Sequence, residues 1–363
     1  MNLFKKLFEK KSKTETKDAA GFWQWFLQHE WSFHVTTRKL ERMHEDFLSL
    51  VMAQLKELNV DFACSAGMYD ETTAELVITA EGEIKAFVFV EDLVAAAPSI
   101  AGWKFTALKP PTGLGISIGM NSYEFNDTEM SFFSCDDENY PDEVEITIVH
   151  NAYNEDNKNT IANGIFIYLD NALGELNTAT LFDNILIAGP GADQPELIPL
   201  QKLNDFLVWK EKEFVEKYQG IRYNTDNDTY MLLDAEDEKG MPSIAVINQD
   251  LLEWDAKPSH PWMTVVELEF PSTRNGLPGD DTATKMEKFE EELVLQLPDS
   301  DGYLNLGRET HDSKRTIYLA CKEFLSVSRI LQQLGARHTG ELTITYDIYK
   351  DKYWRTMERF RPN

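Results

Sequence analysis

The feature that most constrains this chain is the order of strand and helix patterns in its C-terminal part. Short apolar runs with a two-residue alternation are typical of strands, and apolar residues three or four apart are typical of amphipathic helices. The two patterns alternate regularly here. The predicted elements are a strand at 263–270, a helix at 282–297, strands at 302–307 and 315–321, a helix at 324–335 and a strand at 341–349.

The order β-α-β-β-α-β is that of a ferredoxin-like sandwich. Right-handed crossovers place both helices of such a unit on one face of an antiparallel sheet. Two further strands are predicted just before it, at 229–234 and 243–248. We therefore expect one face of the sheet to carry the helices, and the other face to be free for the extra strands or for a partner.

The N-terminal part predicts a second α+β sandwich. Its first helix is predicted to be long, from Gly21 to about Leu58, and residues 39–109 follow the order α-β-β-α-β. A polar stretch at 219–228 nearly lacks large aliphatic residues and is typical of a linker. The predicted class is α+β in two modules. We expect a flexible basic leader at 1–19, an N-terminal α+β domain at 20–218 and a C-terminal ferredoxin-like domain at 223–361.

The net charge excludes several functional classes. The chain has 62 acidic and 35 basic residues, a formal net charge of −27, beside 42% hydrophobic residues. That hydrophobic content is too high for a disordered chain. A strongly negative surface repels nucleic-acid phosphates and anionic lipid, and favours basic partners. We predict no direct nucleic-acid binding, no stable membrane association and, as partner, another protein with a basic surface.

The cysteines and the N-terminus indicate a compartment. Three isolated cysteines without a CxxC pair are typical of a reducing environment. The basic leader lacks the long apolar stretch of a signal peptide, and no run approaches the roughly 18 apolar residues of a membrane span. We predict a cytoplasmic protein. A weak membrane contact through the helical face of Leu3, Phe4, Leu7 and Phe8 stays open.

Several motifs follow one another in the C-terminal region. They are Tyr230-Met231-Leu232-Leu233, Pro242-Ser243-Ile244, Trp262-Met263-Thr264-Val265-Val266-Glu267-Leu268, Asn275-Gly276-Leu277-Pro278, Gly307-Arg308-Glu309-Thr310 with Asp312, Arg315 and Tyr318, and Asp351-Lys352-Tyr353-Trp354 ahead of Phe360. On these residues, about 223–361 resembles the bacterial family called domain of unknown function 695. The family usually has a proline–glutamate pair between that last Asp and Trp, where Lys352 and Tyr353 stand here.

The resemblance implies no established activity. Members of the family are sometimes joined to a domain similar to the regulator of ribonuclease activity B, a small acidic protein that binds and restrains a ribonuclease. The resemblance therefore implies protein binding, with a nuclease or a toxin as the kind of partner. Residues 20–218 resemble a region found with this domain in Bacteroidetes-type proteins, to which no activity is attached.

One candidate binding surface is an acidic segment of the N-terminal domain. Residues 121–160 hold eleven acidic residues and a single basic one, Lys158. The densest acids flank Asn139-Tyr140-Pro141, and they are Asp136, Asp137, Glu138, Asp142 and Glu143. A solvated loop is the plain interpretation. A docking surface for a basic partner is the functional one.

The other candidate site is a set of four residues in the C-terminal domain. Arg308 ends one predicted strand and Arg315 begins the next, so a hairpin would bring the two guanidiniums together. Two neighbouring guanidiniums clamp a carboxylate or phosphate, with Tyr318 and Trp354 as further candidates for the site. The structural alternatives are that each arginine pairs with a local acid, such as Asp312, Glu309 or Asp347, and that Trp354 packs against the sheet.

The motifs of catalysis are not found in the sequence. There is no nucleophile elbow, no metal-ligand spacing and no phosphate loop in its proper context, so we predict no catalytic residue, metal or cofactor. The leading hypothesis is a non-enzymatic binding or regulatory module. The alternatives are a hydrolase or anion-binding protein that uses the arginine pair, and a self-associating structural protein. The oligomeric state is left open.

Overall fold

The computed structural model describes residues 18–191, 194–271, 275–340 and 342–361. The chain divides into two compact units. The smaller unit extends to Pro110 and includes the short segment Gly174–Leu176, while the larger unit contains Pro111–Leu173 and all that follows Leu176. The predicted boundary near 219–228 therefore falls inside the larger unit. The greater part of the predicted leader lies outside the described residues.

The smaller unit is a three-stranded sheet covered by helices. Its strands follow the order β1-β2-β3, with β1 and β2 antiparallel and β2 and β3 parallel. Aromatic side chains of the first helix fill its core, among them Phe22, Trp23 and Phe26. Its elements are α1 (Ala19–Lys39), α2 (Ser49–Leu58), β1 (Ala63–Met68), β2 (Ala74–Thr79), α3 (Phe87–Ala95) and β3 (Trp103–Ala107).

The long first helix is interrupted, so that part of the prediction is wrong. α1 ends where Leu40 adopts a positive φ of 57°, and Arg42 follows with a φ of 51°. A π-helical turn at His44–Leu48 then leads into α2. The apolar spacing continues across this break, because the residues on both sides pack against the same sheet. Periodicity alone therefore could not locate it.

The first half of the larger unit contains a four-stranded sheet in the order β8-β7-β6-β9 and a small separate hairpin of β4 and β5. α4 and α6 pack against it through a core that includes Ile146, Ile165, Tyr168 and Leu207. The elements are β4 (Ile118–Met120), β5 (Tyr123–Phe125), β6 (Met130–Ser134), β7 (Glu145–His150), α4 (Lys158–Ala172), α5 (Glu175–Leu181, which begins in the segment of the smaller unit), β8 (Asn184–Ala188), β9 (Ile198–Pro199) and α6 (Leu203–Tyr218).

The second half of the larger unit is a six-stranded antiparallel sheet in the order β10-β11-β13-β14-β12-β15. Its last four strands have the order of the predicted ferredoxin-like sandwich, and the α+β class is confirmed. The elements are β10 (Tyr230–Glu236), β11 (Pro242–Asn248), α7 (Gln249–Leu252), β12 (Trp262–Glu269), α8 (Asp280–Gln296), β13 (Tyr303–His311), β14 (Lys314–Cys321), α9 (Leu325–Arg337) and β15 (Thr343–Lys350).

The sheet face opposite the helices is partly covered. The two extra strands extend the sheet sideways, beyond β13, and do not lie across it. Instead Trp354, Met357 and Phe360 of the C-terminal segment join one buried cluster with sheet residues such as Met263 and Tyr318. The expectation that this face is free for the extra strands or for a partner is therefore corrected: the extra strands do not occupy it, and the C-terminal segment covers part of it. Among the residues that the structure describes, no helix is long and apolar enough to cross a membrane.

Candidate functional site

The two candidate arginines converge, but on a carboxylate of the protein itself. Thr310 pairs with Arg315 across the hairpin and Arg308 pairs with Ile317, so both arginines lie on the helix-covered face. Arg315 Nη1 lies 2.7 Å from Glu290 Oε1 of α8, and Arg308 donates to the other oxygen of Glu290. We call Arg308, Glu290 and Arg315 the arginine cluster.

The arginine cluster leaves little room for an anionic ligand. The Glu290 side chain is 13% exposed and already occupies the place between the guanidiniums. Arg315 is further held because its Nε donates to Thr310 Oγ1 at 3.0 Å. The partner acid is on a helix distant in sequence and is none of the three local acids that the sequence suggested. Glu309, the nearest of them, points to the other face and meets Arg359.

Tyr318 and Trp354 lie on the opposite face of the sheet. Successive side chains of a strand alternate between faces, and three positions separate Tyr318 from Arg315. Trp354 is 1% exposed, and its Nε1 donates to the carbonyl oxygen of His260 at 3.0 Å. Trp354 thus packs against the sheet. The four candidate residues do not form one site, and the predicted four-residue ligand site is corrected accordingly.

A polar groove lies on this second face, beside the C-terminal segment. Its volume is about 390 Å³. Two ion pairs lie in its walls. Lys314 Nζ lies 2.8 Å from Glu267 Oε1, and Arg359 Nη2 lies 2.5 Å from Glu309 Oε2. The groove is lined by Val265, Glu267, Glu309, His311, Lys314, Thr316, Tyr318, Tyr349, Thr356 and Arg359.

The hydrogen-bonding side chains that line the groove are already paired with one another. The Tyr318 hydroxyl accepts a hydrogen bond from Arg359, and the hydroxyls of Tyr349 and Thr356 lie 2.8 Å apart. Burial raises the pKa of Tyr318 despite the opposing charge of Arg359, and burial likewise raises the pKa of Tyr349. Both phenols are therefore neutral near pH 7, where they form hydrogen bonds and are poor nucleophiles.

The acidic segment divides into an exposed part and an inward part. Asp136, Asp137 and Glu138 are exposed. Asp136 lies 3.0 Å from Lys210 Nζ of α6, and Asp137 accepts a hydrogen bond from the backbone N–H of Asn139, which fixes the turn. These three residues remain a solvent-facing acidic surface.

The side chains of Asp142 and Glu143 point inward and bind other side chains. Asp142 accepts hydrogen bonds from Lys217, Tyr218 and Tyr353, while Glu143 pairs with Arg355 at 2.6 Å. Burial pushes the pKa of Asp142 upward, but its three hydrogen-bond donors prevail and lower it below the usual value. Burial raises the pKa of Glu143 although Arg355 opposes it. The predicted five-residue acidic surface is therefore reduced to its first three members.

A second cation cluster, which we did not predict from the sequence, lies at the end of β15. Lys350 Nζ lies 3.2 Å from one oxygen of Asp183, and Lys352 Nζ lies 2.7 Å from the other. All three side chains are largely buried, and Asp183 also accepts from the backbone N–H of Val144 at 2.7 Å. We call Lys350, Asp183 and Lys352 the lysine cluster.

The lysine cluster ties the two halves of the larger unit together. Lys350 donates to the carbonyl oxygen of Thr180, and Lys352 donates to that of Asp142. The sequence signal for this contact was the pair Lys352-Tyr353, which departs from the resembled family. Both residues contact the acidic segment, which explains why the larger unit continues across the predicted linker.

Serine–histidine contacts occur, but without the third group of a triad. Ser259 Oγ lies 2.8 Å from His260 Nδ1, and His260 is completely buried. Burial, with the nearby charges of Lys322 and Arg222, lowers the pKa of His260 to about 3. His260 Nε2 has no hydrogen-bond partner within the described chain, so no carboxylate orients it. Over the same residues, no group of three or more His, Cys, Asp or Glu is arranged to hold a metal ion.

The outer edge of the six-stranded sheet is exposed. Within the described ranges, β10 has a strand partner on its β11 side only. Leu232 is 70% exposed and Tyr230 is 48% exposed, and the two alternate positions share one face of the strand. Asp234 and Glu236 are exposed on the same strand.

The fold and these surfaces define an acidic α+β protein with a ferredoxin-like C-terminal sheet. Residues 236–360 match the model of a family of unknown function, DUF695. This match confirms the resemblance of the C-terminal part, and it includes the groove and both arginines. The resemblance predicted for residues 20–218 stays a prediction. Neither a curated protein nor a solved structure matched the chain.

Proposed function

We propose that this protein is a non-enzymatic binding or regulatory module that acts in the cytoplasm on a protein with a basic surface. The observation that best supports the proposal is the location of four cations of the larger unit. In the part of the chain that the structure describes, two carboxylates, Glu290 and Asp183, form the ion pairs of Arg308, Arg315, Lys350 and Lys352. Cations thus outnumber acids inside the two clusters, so the remaining surface is more acidic than the net charge suggests.

The exposed acids supply a surface for such a partner. Asp136, Asp137 and Glu138 stand together in one turn, and the edge of β10 carries Asp234 and Glu236. Complementary charge raises the rate of association with a basic protein and selects against acidic ones. The groove supports binding over catalysis, because its phenols are neutral and its cations are paired.

Affinity capture with a charge variant tests this proposal. The purified protein is immobilised and incubated with lysate of its host at low and at moderate salt. We expect a basic protein to be retained at low salt and released as salt rises, because screening weakens exposed charge pairs. The variant Asp136→Asn/Asp137→Asn/Glu138→Gln should retain less of that protein.

A matched control separates local from overall charge. Glu41→Gln/Glu45→Gln/Glu57→Gln removes the same charge from three exposed positions of the smaller unit. It should retain the partner nearly as well as the parent. Retention of no basic protein at either salt, or retention that salt and both variants leave unchanged, contradicts the proposal.

A further inference from the structure

We propose that strand β10 is the place where an extended, basic segment of the partner adds to the sheet as a seventh strand. This inference rests on the proposed function and gives it a site and a partner conformation. An edge strand presents a row of unpaired backbone N–H and C=O groups, and such rows are templates for another strand. β10 runs for seven residues, from Tyr230 to Glu236, which is long enough for a stable ladder.

β10 has few of the devices that usually protect an edge. Natural sheets shield their edges with charged side chains, above all lysine, and with proline, bulges or a covering element. The charged side chains of β10 are the acids Asp234 and Glu236, which repel an acidic strand and attract a basic one. β10 contains neither lysine nor proline, and its pairing with β11 is regular from Tyr230 to Glu236. Leu232, in its middle, is 70% exposed. An edge left open with a solvent-exposed leucine indicates an interaction surface.

The opposite edge of the same sheet differs. β15 exposes Thr343, Thr345 and Asp347, which are polar, and its end is held by Lys350 in the lysine cluster. Large exposed apolar residues are thus found on β10 and not on β15. The contrast singles out β10 as the edge that fits an added strand.

The side chains of β10 specify the chemistry of that strand. Met231 and Leu233 point to the face where the C-terminal segment packs, and they join its core. The other face carries Leu232 followed by Asp234 and Glu236. An added strand therefore needs apolar residues beside Met231 and Leu233, and basic residues beside Asp234 and Glu236.

A second copy of this chain is a poorer occupant. Its own β10 would bring another Asp234 and Glu236 to the edge, where the chain is already acidic, and like charges on neighbouring strands destabilise pairing. A basic, alternating segment has no such cost. The occupant we infer is a strand with lysine or arginine at every second position and β-branched residues between them.

Three synthetic peptides of equal length test the inference on the full chain. The first alternates lysine and valine, the second alternates glutamate and valine, and the third is the lysine–valine peptide with every backbone amide N-methylated. The third keeps the charge of the first but has no backbone N–H group to donate to a ladder. We expect only the first peptide to bind, and to slow amide hydrogen exchange within 230–236.

Two lysine variants locate the binding. Leu232→Lys places a repelling charge in the middle of the edge and should weaken binding of the lysine–valine peptide about tenfold or more. Leu295→Lys makes the same change at a leucine of α8 that is 79% exposed, and should leave the affinity unchanged. Both positions face solvent, so both variants should melt like the parent.

The outcomes separate this inference from the proposed function. Equal binding of the lysine–valine peptide and its N-methylated form would show that charge alone acts, which overturns the edge and leaves the basic-partner proposal standing. Binding that Leu232→Lys and Leu295→Lys weaken equally also overturns it. Concentration-dependent dimers of the parent that Leu232→Lys abolishes would assign the edge to a second copy. Failure of every basic peptide to bind, with a basic protein still captured from lysate, rejects the inference only.

Discussion

Two clusters in the larger unit place one carboxylate between two cations, and they differ in the cation. Glu290 bridges Arg308 and Arg315, while Asp183 bridges Lys350 and Lys352. The lysine side chains are 12% and 4% exposed, against 35% and 9% for the arginines. A guanidinium keeps its charge in a protein, whereas a buried ammonium group loses its proton more easily.

The type of cation determines what each cluster contributes to stability. Burial lowers the pKa of Lys350 to about 8, although the charge of Asp183 opposes the shift. The lysine cluster therefore joins the two halves of the larger unit through an ammonium group whose charge is costly to bury and is lost as the pH rises. The arginine cluster fixes α8 to the β13–β14 hairpin through two guanidiniums on one carboxylate.

The largest expected effect is loss of the carboxylate of the lysine cluster. Asp183→Ala removes the one carboxylate in direct contact with both buried lysines and the acceptor of the Val144 N–H. Removing one partner of a buried ion pair typically costs about 3–5 kcal/mol, and we expect a loss of that size in urea unfolding. Asp183→Asn should be less damaging, since its amide oxygen still accepts from Val144. A change below about 1 kcal/mol for the alanine variant would mean that the cluster is effectively solvated.

A smaller effect is expected from the equivalent change in the arginine cluster. Glu290→Ala should reduce the free energy of unfolding by about 1–3 kcal/mol, because Arg308 is partly exposed and Arg315 keeps its bond to Thr310. Glu291→Ala, at the next and exposed position of α8, is the control and should be nearly neutral. The comparison fails if Glu290→Ala is as damaging as Asp183→Ala.

The same variant examines the anion-clamp alternative. In the parent, Glu290 occupies the place between the guanidiniums, so sulfate should not raise the melting temperature specifically. If sulfate stabilises Glu290→Ala much more than Glu291→Ala, the arginines are able to hold an anion once the carboxylate is gone. Equal shifts of the melting temperature in both variants would indicate that the arginine cluster has only a structural role.

At alkaline pH, the stability contributed by a buried lysine should differ from that contributed by an arginine. The pKa of Lys350 is lowered from 10.5 to about 8, so between these pH values the unfolded chain binds more protons at this residue than the folded one. The cost of burying the charged group is complete below pH 8 and disappears toward pH 10.5. Parent stability should therefore rise relative to Lys350→Met in this window, by up to about 1.4 kcal/mol per pH unit.

The control for this pH dependence is Lys350→Arg. Because arginine stays protonated throughout the window, this variant should show no relative gain between pH 8 and 10. Unfolding by denaturant at several pH values measures all three proteins. Parallel curves for the parent and Lys350→Arg would contradict the lowered pKa of Lys350.

The smallest effect is expected at the exposed acids. Asp136→Asn/Asp137→Asn/Glu138→Gln should change the free energy of unfolding by less than about 1 kcal/mol, since the side chains face solvent. The same variant is expected to weaken capture of the basic partner. A thermal melt beside the capture assay checks both. A large loss of stability would show that these acids, like Asp142 and Glu143, have an internal role.

The candidate site was predictable only in part. The hairpin brought Arg308 and Arg315 together as the sequence predicted, because cross-strand pairing follows from strand order. Glu290 could not be found, since nothing in a helical pattern tells which exposed-looking acid reaches the sheet. Lys350 and Lys352 look like ordinary residues at the end of a strand. Their role depends on Asp183, which lies far away in the chain.

Local pattern determined the elements of the C-terminal sheet and their order. Apolar alternation in β12 to β15 and the helical spacing of α8 and α9 are set by residues that are near one another in sequence. The ferredoxin-like arrangement follows, because crossovers are right-handed and hairpins are short. The large acid excess also belongs to the sequence alone.

Tertiary structure decided where the chain divides and which charges are free. The polar stretch at 219–228 suggested a boundary, yet Lys352 and Tyr353 bind acids on the far side of it. Ion pairs between distant segments have no local signature, because each partner alone resembles a solvated surface residue. For the same reason only the folded sheet shows that Leu232, one apolar residue in an apolar run, lies at an open edge.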